Sequence, residues 1–364
     1  MTFSRTDTKV VKGIAIILML YHHLFAFPDR IDSSLSYISM FSIDGNTISY
    51  WIGVFGKLCV ALFIFLAGYG TYLSCRNKDS MTSPIYKKIK SLYTTYWQVF
   101  IIFIPVCMAL DVSRVAKDFE DLIWNFSGLH ITYNGEWWFF TPFVVLTLAY
   151  PLIKTFLDKK NSQFFSDVLI AFLICNIVVL VFPVVMQKSI FERLINSFFW
   201  SDIRKTVELF PVFLLGSIFA KYDVLSVIKR KFSGNLLNSC CSLLILFVAF
   251  YMRKHTNQYN GIFDFFYAPL VTISSIIFLQ GKLMKPFYWL LEKIGEESTI
   301  IWLCHSFYCY LILQKIVFAP KYSVLIFALL LAMSFATSIF IKLIFALLSK
   351  VHNKIKPYLT FKTL

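Results

Sequence analysis

Charge is scarce in this sequence. Only 15% of its 364 residues are Asp, Glu, Lys or Arg, while 58% are hydrophobic and 18% aromatic, and the mean hydropathy is +0.69. Too few charges remain to clothe a surface in water, so the chain is expected to fold in lipid. Soluble-domain length is also lacking. The longest stretches between apolar runs, 28–50, 111–136 and 187–206, are about twenty residues each, too short to bury a core of their own. Residues 1–364 are therefore expected to form a single membrane-embedded domain. No CxxC pair occurs, and the eight cysteines fall mostly inside apolar runs, which excludes a metal or redox framework and favours packing. No fixed-period repeat or low-complexity tract is present, and no metal site is expected.

What is there is a series of apolar runs long enough to cross a bilayer, which takes roughly 17–25 residues in a helix. About ten can be drawn: 10–27, 51–74, 92–110, 137–157, 167–186, 207–220, 236–252, 262–280, 298–318 and 322–348. The sixth is short, and Pro211 and Gly216 predict a kinked or tilted helix there. The first run is not followed by a small-residue cleavage site but by Pro28-Asp29-Arg30, so it is expected to remain as a span. The fold class is an all-α integral membrane protein, a bundle of about ten transmembrane helices.

Loop charges orient the bundle, because cytoplasmic loops collect Lys and Arg. With the N-terminus inside, the inner loops and tails hold 22 of the 35 basic residues and the outer loops 11. Both termini are therefore expected in the cytoplasm, with the plasma membrane as the location. The outer loops 28–50 and 111–136 are acid-rich, carrying Asp29, Asp32, Asp44, Asp111, Asp118, Glu120, Asp121 and Glu136. The net charge of +15 is thus largely a property of the inner face, which suits contact with anionic lipid and with an anionic small molecule. Nucleic acid is excluded as a partner, since the bases are dispersed over short loops.

Lys12 and His23 define a polar track in the first run, KGIAIILMLYHHLF. Eleven helical residues turn through about three revolutions plus 20° and rise roughly 16 Å, so the two side chains share a face at different depths. Ionisable groups at membrane depth mark functional sites, although a lone lysine there is an ordinary snorkelling anchor and a lone histidine an ordinary interhelical hydrogen bond. A histidine can accept and return a proton near neutral pH, and a cation below it suits a phosphorylated ligand.

These residues resemble the opening motif of the acyltransferase 3 family of multi-pass membrane O-acyltransferases, a basic residue followed by ten residues and a histidine. The family most often has Arg where this chain has Lys12. Residues 53–70, GVFGKLCVALFIFLAGYG, are similar to the family's second span, and 86–97, YKKIKSLYTTYW, to its basic, aromatic third-span approach, without the usual proline before Tyr96-Trp97. Residues 136–151, EWWFFTPFVVLTLAYP, resemble its Trp-rich fourth span, and 294–308, IGEESTIIWLCHSFY, its late segment with Gly295, Ser298, Trp302 and His305. The chain looks like a stand-alone member without the extracellular domain that some members append.

The resemblance implies transfer of an acyl group, usually acetyl from acetyl-CoA, to a hydroxyl of a surface polysaccharide or its lipid-linked precursor. It implies His23 as general base or transient acyl acceptor. His22, about 100° around the helix, is expected to support it, and a one-residue slip would exchange the two. Lys12 is expected near the CoA phosphates with Lys87, Lys88 and Lys90, whose ordinary reading is positive-inside anchoring. Glu136, Trp137, Trp138 and His305 are candidates for holding the acceptor, although tryptophan is also the usual interfacial anchor. Lys57, inside the second span, has no evident family counterpart. A transporter or flippase for a glycan or lipid precursor, with His23 and His305 as proton relays, is the alternative from another class. It predicts two matched bundles around a central site, whereas an acyltransferase predicts Lys12 and His23 around one continuous pocket.

Overall fold

The computed structural model describes residues 2–76, 80–115, 117–158, 163–232, 234–256 and 260–360, with side chains in the last range described over 262–353. Of the basic residues counted by loop, Lys78, Lys159, Lys160 and Lys362 lie outside the described residues. Among the described residues the architecture is helical, apart from a two-residue antiparallel ladder, Ser42–Ile43 with Asn46–Thr47, in the loop 28–50.

Seven helical stretches are long and apolar enough to span a bilayer: Arg5–Phe25, Ile48–Cys75, Thr82–Ala109, Phe164–Met186, Leu236–Thr256, Ile262–Leu279 and Ser323–Asn353. Two more form bent pairs, Gly135–Leu148 with Tyr150–Leu157 at 50° and Trp200–Lys221 with Val224–Phe232 at 64°, giving up to nine among the described residues. The sequence predicted about ten. The difference lies at 298–318, which is no continuous helix but Ser298–Ser306, a π turn Phe307–Leu311 and a short helix Gln314–Phe318. Hydropathy registers that stretch as one run because it does not sense a break in backbone hydrogen bonding.

The first helix begins earlier than its apolar run. Ser4 and Asp7 form a capping box, Ser4 Oγ accepting from the Asp7 amide at 3.1 Å and Asp7 Oδ2 from the Ser4 amide at 2.6 Å. Asp7 is completely buried and also receives Lys229 Nζ at 2.6 Å and the Tyr288 hydroxyl at 2.8 Å. One carboxylate thus ties the N-terminus to two segments that the loop charges place on the same side.

Two pairs of helices touch backbone to backbone. A methyl group on Gly68 would collide with the Phe213 carbonyl and one on Gly216 with the Phe65 carbonyl, and Gly13 and Gly295 meet the Leu291 and Lys9 carbonyls in the same reciprocal way. Lipid gives no hydrophobic force between helices, so close van der Waals approach over small residues holds such pairs. The Gly13–Gly295 contact presses the first helix against Lys285–Glu296, and Lys12, about 100° around the helix from Gly13, lines the cavity.

Candidate active site

The polar face of Arg5–Phe25 opens onto a cavity of about 1410 Å³. At the basic side its wall includes Thr8, Lys12, Lys87 and Lys88, and toward the other side His22, His23, Arg30 and Glu136. The cavity therefore follows the length of the first helix. Lys12 and His23 line one continuous space, as their spacing predicted.

At the deep end, His23 and Glu136 face each other, each side chain 11% exposed. His23 Nδ1 stands 3.4 Å from Glu136 Oε2, within ion-pair range but without the alignment of a hydrogen bond. Glu136 Oε1 accepts from Arg30 Nη1 at 2.9 Å. The carboxylate sits on the 3₁₀ turn Gly135–Phe139, whose position is fixed by hydrogen bonds to Ser298–Ser306 and the residue before it. Trp302 Nε1 donates to the Glu136 carbonyl at 3.0 Å, Trp137 Nε1 to the Leu303 carbonyl at 2.8 Å, and Asn134 Nδ2 to Ser306 Oγ at 2.7 Å. Arg30 follows Pro28 on a short turn and stacks over Phe27 at 4.1 Å and Tyr310 at 5.5 Å. The π turn at Phe307–Leu311 aims the Tyr310 hydroxyl at the His23 carbonyl, to which it donates. Single π turns commonly appear where a side chain must be re-aimed at a site.

The other imidazoles are held by backbone. His22 Nδ1 lies 2.8 Å from the Gly53 carbonyl, yet the ring still borders the cavity. His305 is fully buried behind His23, with ring centroids 4.9 Å apart. Its Nδ1 lies 2.7 Å from the Trp302 carbonyl and its Nε2 has no hydrogen-bond partner among the described residues. It is not part of the cavity lining.

The remaining predicted residues divide. Lys12 makes no hydrogen bond or ion pair among the described residues, while Lys88 Nζ reaches Thr71 Oγ1 at 2.5 Å and the Ala67 carbonyl at 3.4 Å. Lys87 lines the mouth, but Lys90 points outward beside the Tyr86 ring, 5.9 Å away. Trp138 lines the cavity with Lys205 Nζ 5.2 Å from its ring, whereas Trp137 is buried among Tyr96, Phe100 and Phe307 and does not reach it. Arg30 and Tyr310 are the residues that sequence reasoning passed over. Arg30 was one base in an acid-rich loop and Tyr310 one aromatic in an apolar run, and nothing local sets either apart.

Long apolar helices around a cavity that carries charged side chains define a multi-pass membrane protein. Residues 7–343, nearly the whole chain, match the family model for the acyltransferase domain, and the chain belongs to the acyltransferase 3 family. It is a membrane acyltransferase. Neither a curated protein nor a solved structure matched the chain.

Proposed function

We propose that the protein is an O-acyltransferase of the plasma membrane that moves an acyl group, acetyl in the simplest case, from cytoplasmic acyl-CoA to a hydroxyl of a surface polysaccharide or its lipid-linked precursor. The observation that carries this reading is the shared cavity: Lys12 at its basic mouth and His23 with Glu136 at its deep end. Lys12, Lys87 and Lys88 offer ammonium groups to the CoA phosphates, and Lys90 adds only to the field outside the mouth. The thioester supplies an activated acyl group with a thiol leaving group.

His23 keeps its own proton on Nδ1, facing Glu136, which leaves Nε2 as the free base. Arg30 holds Glu136 in place through Oε1. His23 Nε2 takes the proton of the acceptor hydroxyl as its oxygen bonds to the acyl carbon; the carbon–sulfur bond breaks, and His23 returns the proton to the departing sulfur. Tyr310 and His305 fix the backbone and one face of the His23 ring. Trp138 gives the acceptor a flat wall, and Trp137 acts only by positioning Glu136.

The test is an NMR comparison of surface-glycan acetyl signals in cells with the gene, without it, and with His23→Ala at equal membrane level. Loss of the same signals in the last two supports the reading. Signals retained with His23→Ala overturn it.

A further inference from the structure

Lys57 was left unassigned by the sequence, and its surroundings give it a task. It lies at the junction of the helices Ile48–Gly56 and Leu58–Cys75 and lines the cavity with Asp264 and Glu208. Each carboxylate on that half of the wall already has an arginine. Glu136 pairs with Arg30 at 2.9 Å, Asp264 with the fully buried Arg253, and Glu208 stands 3.7 Å from Arg204 on its own helix. Lys57 and Arg114, which also line the cavity, have no carboxylate within 4.0 Å among the described residues.

Four acids of the loops 28–50 and 111–136 are engaged elsewhere, and Glu136, which lines the cavity, is held by Arg30. Asp44 pairs with Lys254 and Asp111 with Lys117, Asp118 caps the helix Phe119–Ser127, and Asp32 accepts from Ser34. The cavity wall carries six lysine and arginine side chains against three carboxylates. Neither cation is held in a close ion pair among the described residues, and both are exposed, so water or an anion can meet them. Asp264 adds selectivity: Arg253 clamps one oxygen, the Asp264 side chain stays 15% exposed, and Arg253 Nε and Nη2 have no partner among the described residues. A clamped carboxylate beside a free ammonium suits a ligand with both hydroxyl donors and a negative group.

We infer that Lys57, Asp264 and Arg114 form the acceptor subsite and that the acceptor is an anionic sugar, its carboxylate or phosphate received by Lys57 and Arg114 and its hydroxyls by Asp264. This rests on the acyltransferase reading for the word acceptor, but the binding itself is independent of chemistry. Purified protein is heated with a hexuronic-acid disaccharide, a sugar 1-phosphate or the neutral disaccharide, and the unfolding midpoint is followed. One of the anionic sugars raises the midpoint and the neutral one does not; which anion acts separates carboxylate from phosphate. Lys57→Met and Arg114→Met each remove the shift, Lys57→Arg keeps it, and Lys12→Met keeps it, which separates this subsite from the donor mouth. His23→Ala also keeps it, so failed catalysis and failed binding are told apart. No shift with either anion, an equal shift with the neutral sugar, or a shift unchanged in both Lys57→Met and Arg114→Met overturns the inference.

Discussion

His23 Nδ1 and Glu136 Oε2 stand 3.4 Å apart, although they come from the first helix and from a loop-borne turn far along the chain. In the proposed mechanism this pair gives the imidazole a direction, with Nδ1 toward the carboxylate and Nε2 toward the substrate. Arg30 completes a three-residue line at 2.9 Å from the other carboxylate oxygen.

Removing the base should cost most. His23→Ala is expected to lower the transfer rate by about 10²- to 10⁴-fold, the usual worth of a positioned general base. Glu136→Gln should lower kcat at least about tenfold while leaving the KM for acyl-CoA unchanged. His22→Ala should act less than either, because its Nδ1 is engaged by the Gly53 carbonyl. Steady-state kinetics on purified variants checks the order; a His22 effect larger than that of His23 would exchange their roles.

Donor affinity should depend on cavity position rather than on sequence cluster. Lys12→Glu is expected to weaken acyl-CoA binding by about tenfold to a hundredfold, the worth of a charge-assisted hydrogen bond. Lys90→Ala, outside the lining, should change it by less than about twofold. Calorimetric titration with a non-hydrolysable acyl-CoA measures both.

The buried clasp at the N-terminus should be a stability element with no part in chemistry. Asp7→Asn leaves Lys229, 6% exposed, without its counter-charge and should cost about 3–5 kcal/mol. Combining it with Lys229→Met should recover much of the loss. Unfolding midpoints in detergent give the comparison, and equal midpoints for wild type and Asp7→Asn would remove the clasp from the account.

Close helix packing predicts a contrast between two glycines. Gly216→Ala forces its methyl into the Phe65 carbonyl and should destabilise by about 1–3 kcal/mol, as overpacking does. Gly70→Ala meets only the end of Lys88 at 3.9 Å and should be neutral or slightly stabilising. Yield and thermal midpoint of the two variants decide it.

Much of this protein is legible locally. Scarce charge and long apolar runs determined the solvent and the helical class, and the Lys12–His23 spacing determined that both residues share a face, because hydropathy and helical period are properties of neighbouring residues. The joint pattern of short motifs determined the family. Glu136 was within reach as a carboxylate beside two tryptophans, but which of Trp137 and Trp138 faces the cavity was not, since a 3₁₀ turn does not keep the period of an α-helix.

Only the tertiary structure decided the rest. It brought Arg30 to Glu136 and Tyr310 to His23, broke the run at 298–318 with a π turn, and gave Asp44 and Asp111 lysine partners at the surface while Glu136, Lys57 and Arg114 stayed on the cavity wall. Loop composition counts charges without saying which way they point. Direction is set by contacts between segments distant in sequence, and in this bundle those contacts, not the local pattern, place more bases than acids on the cavity wall.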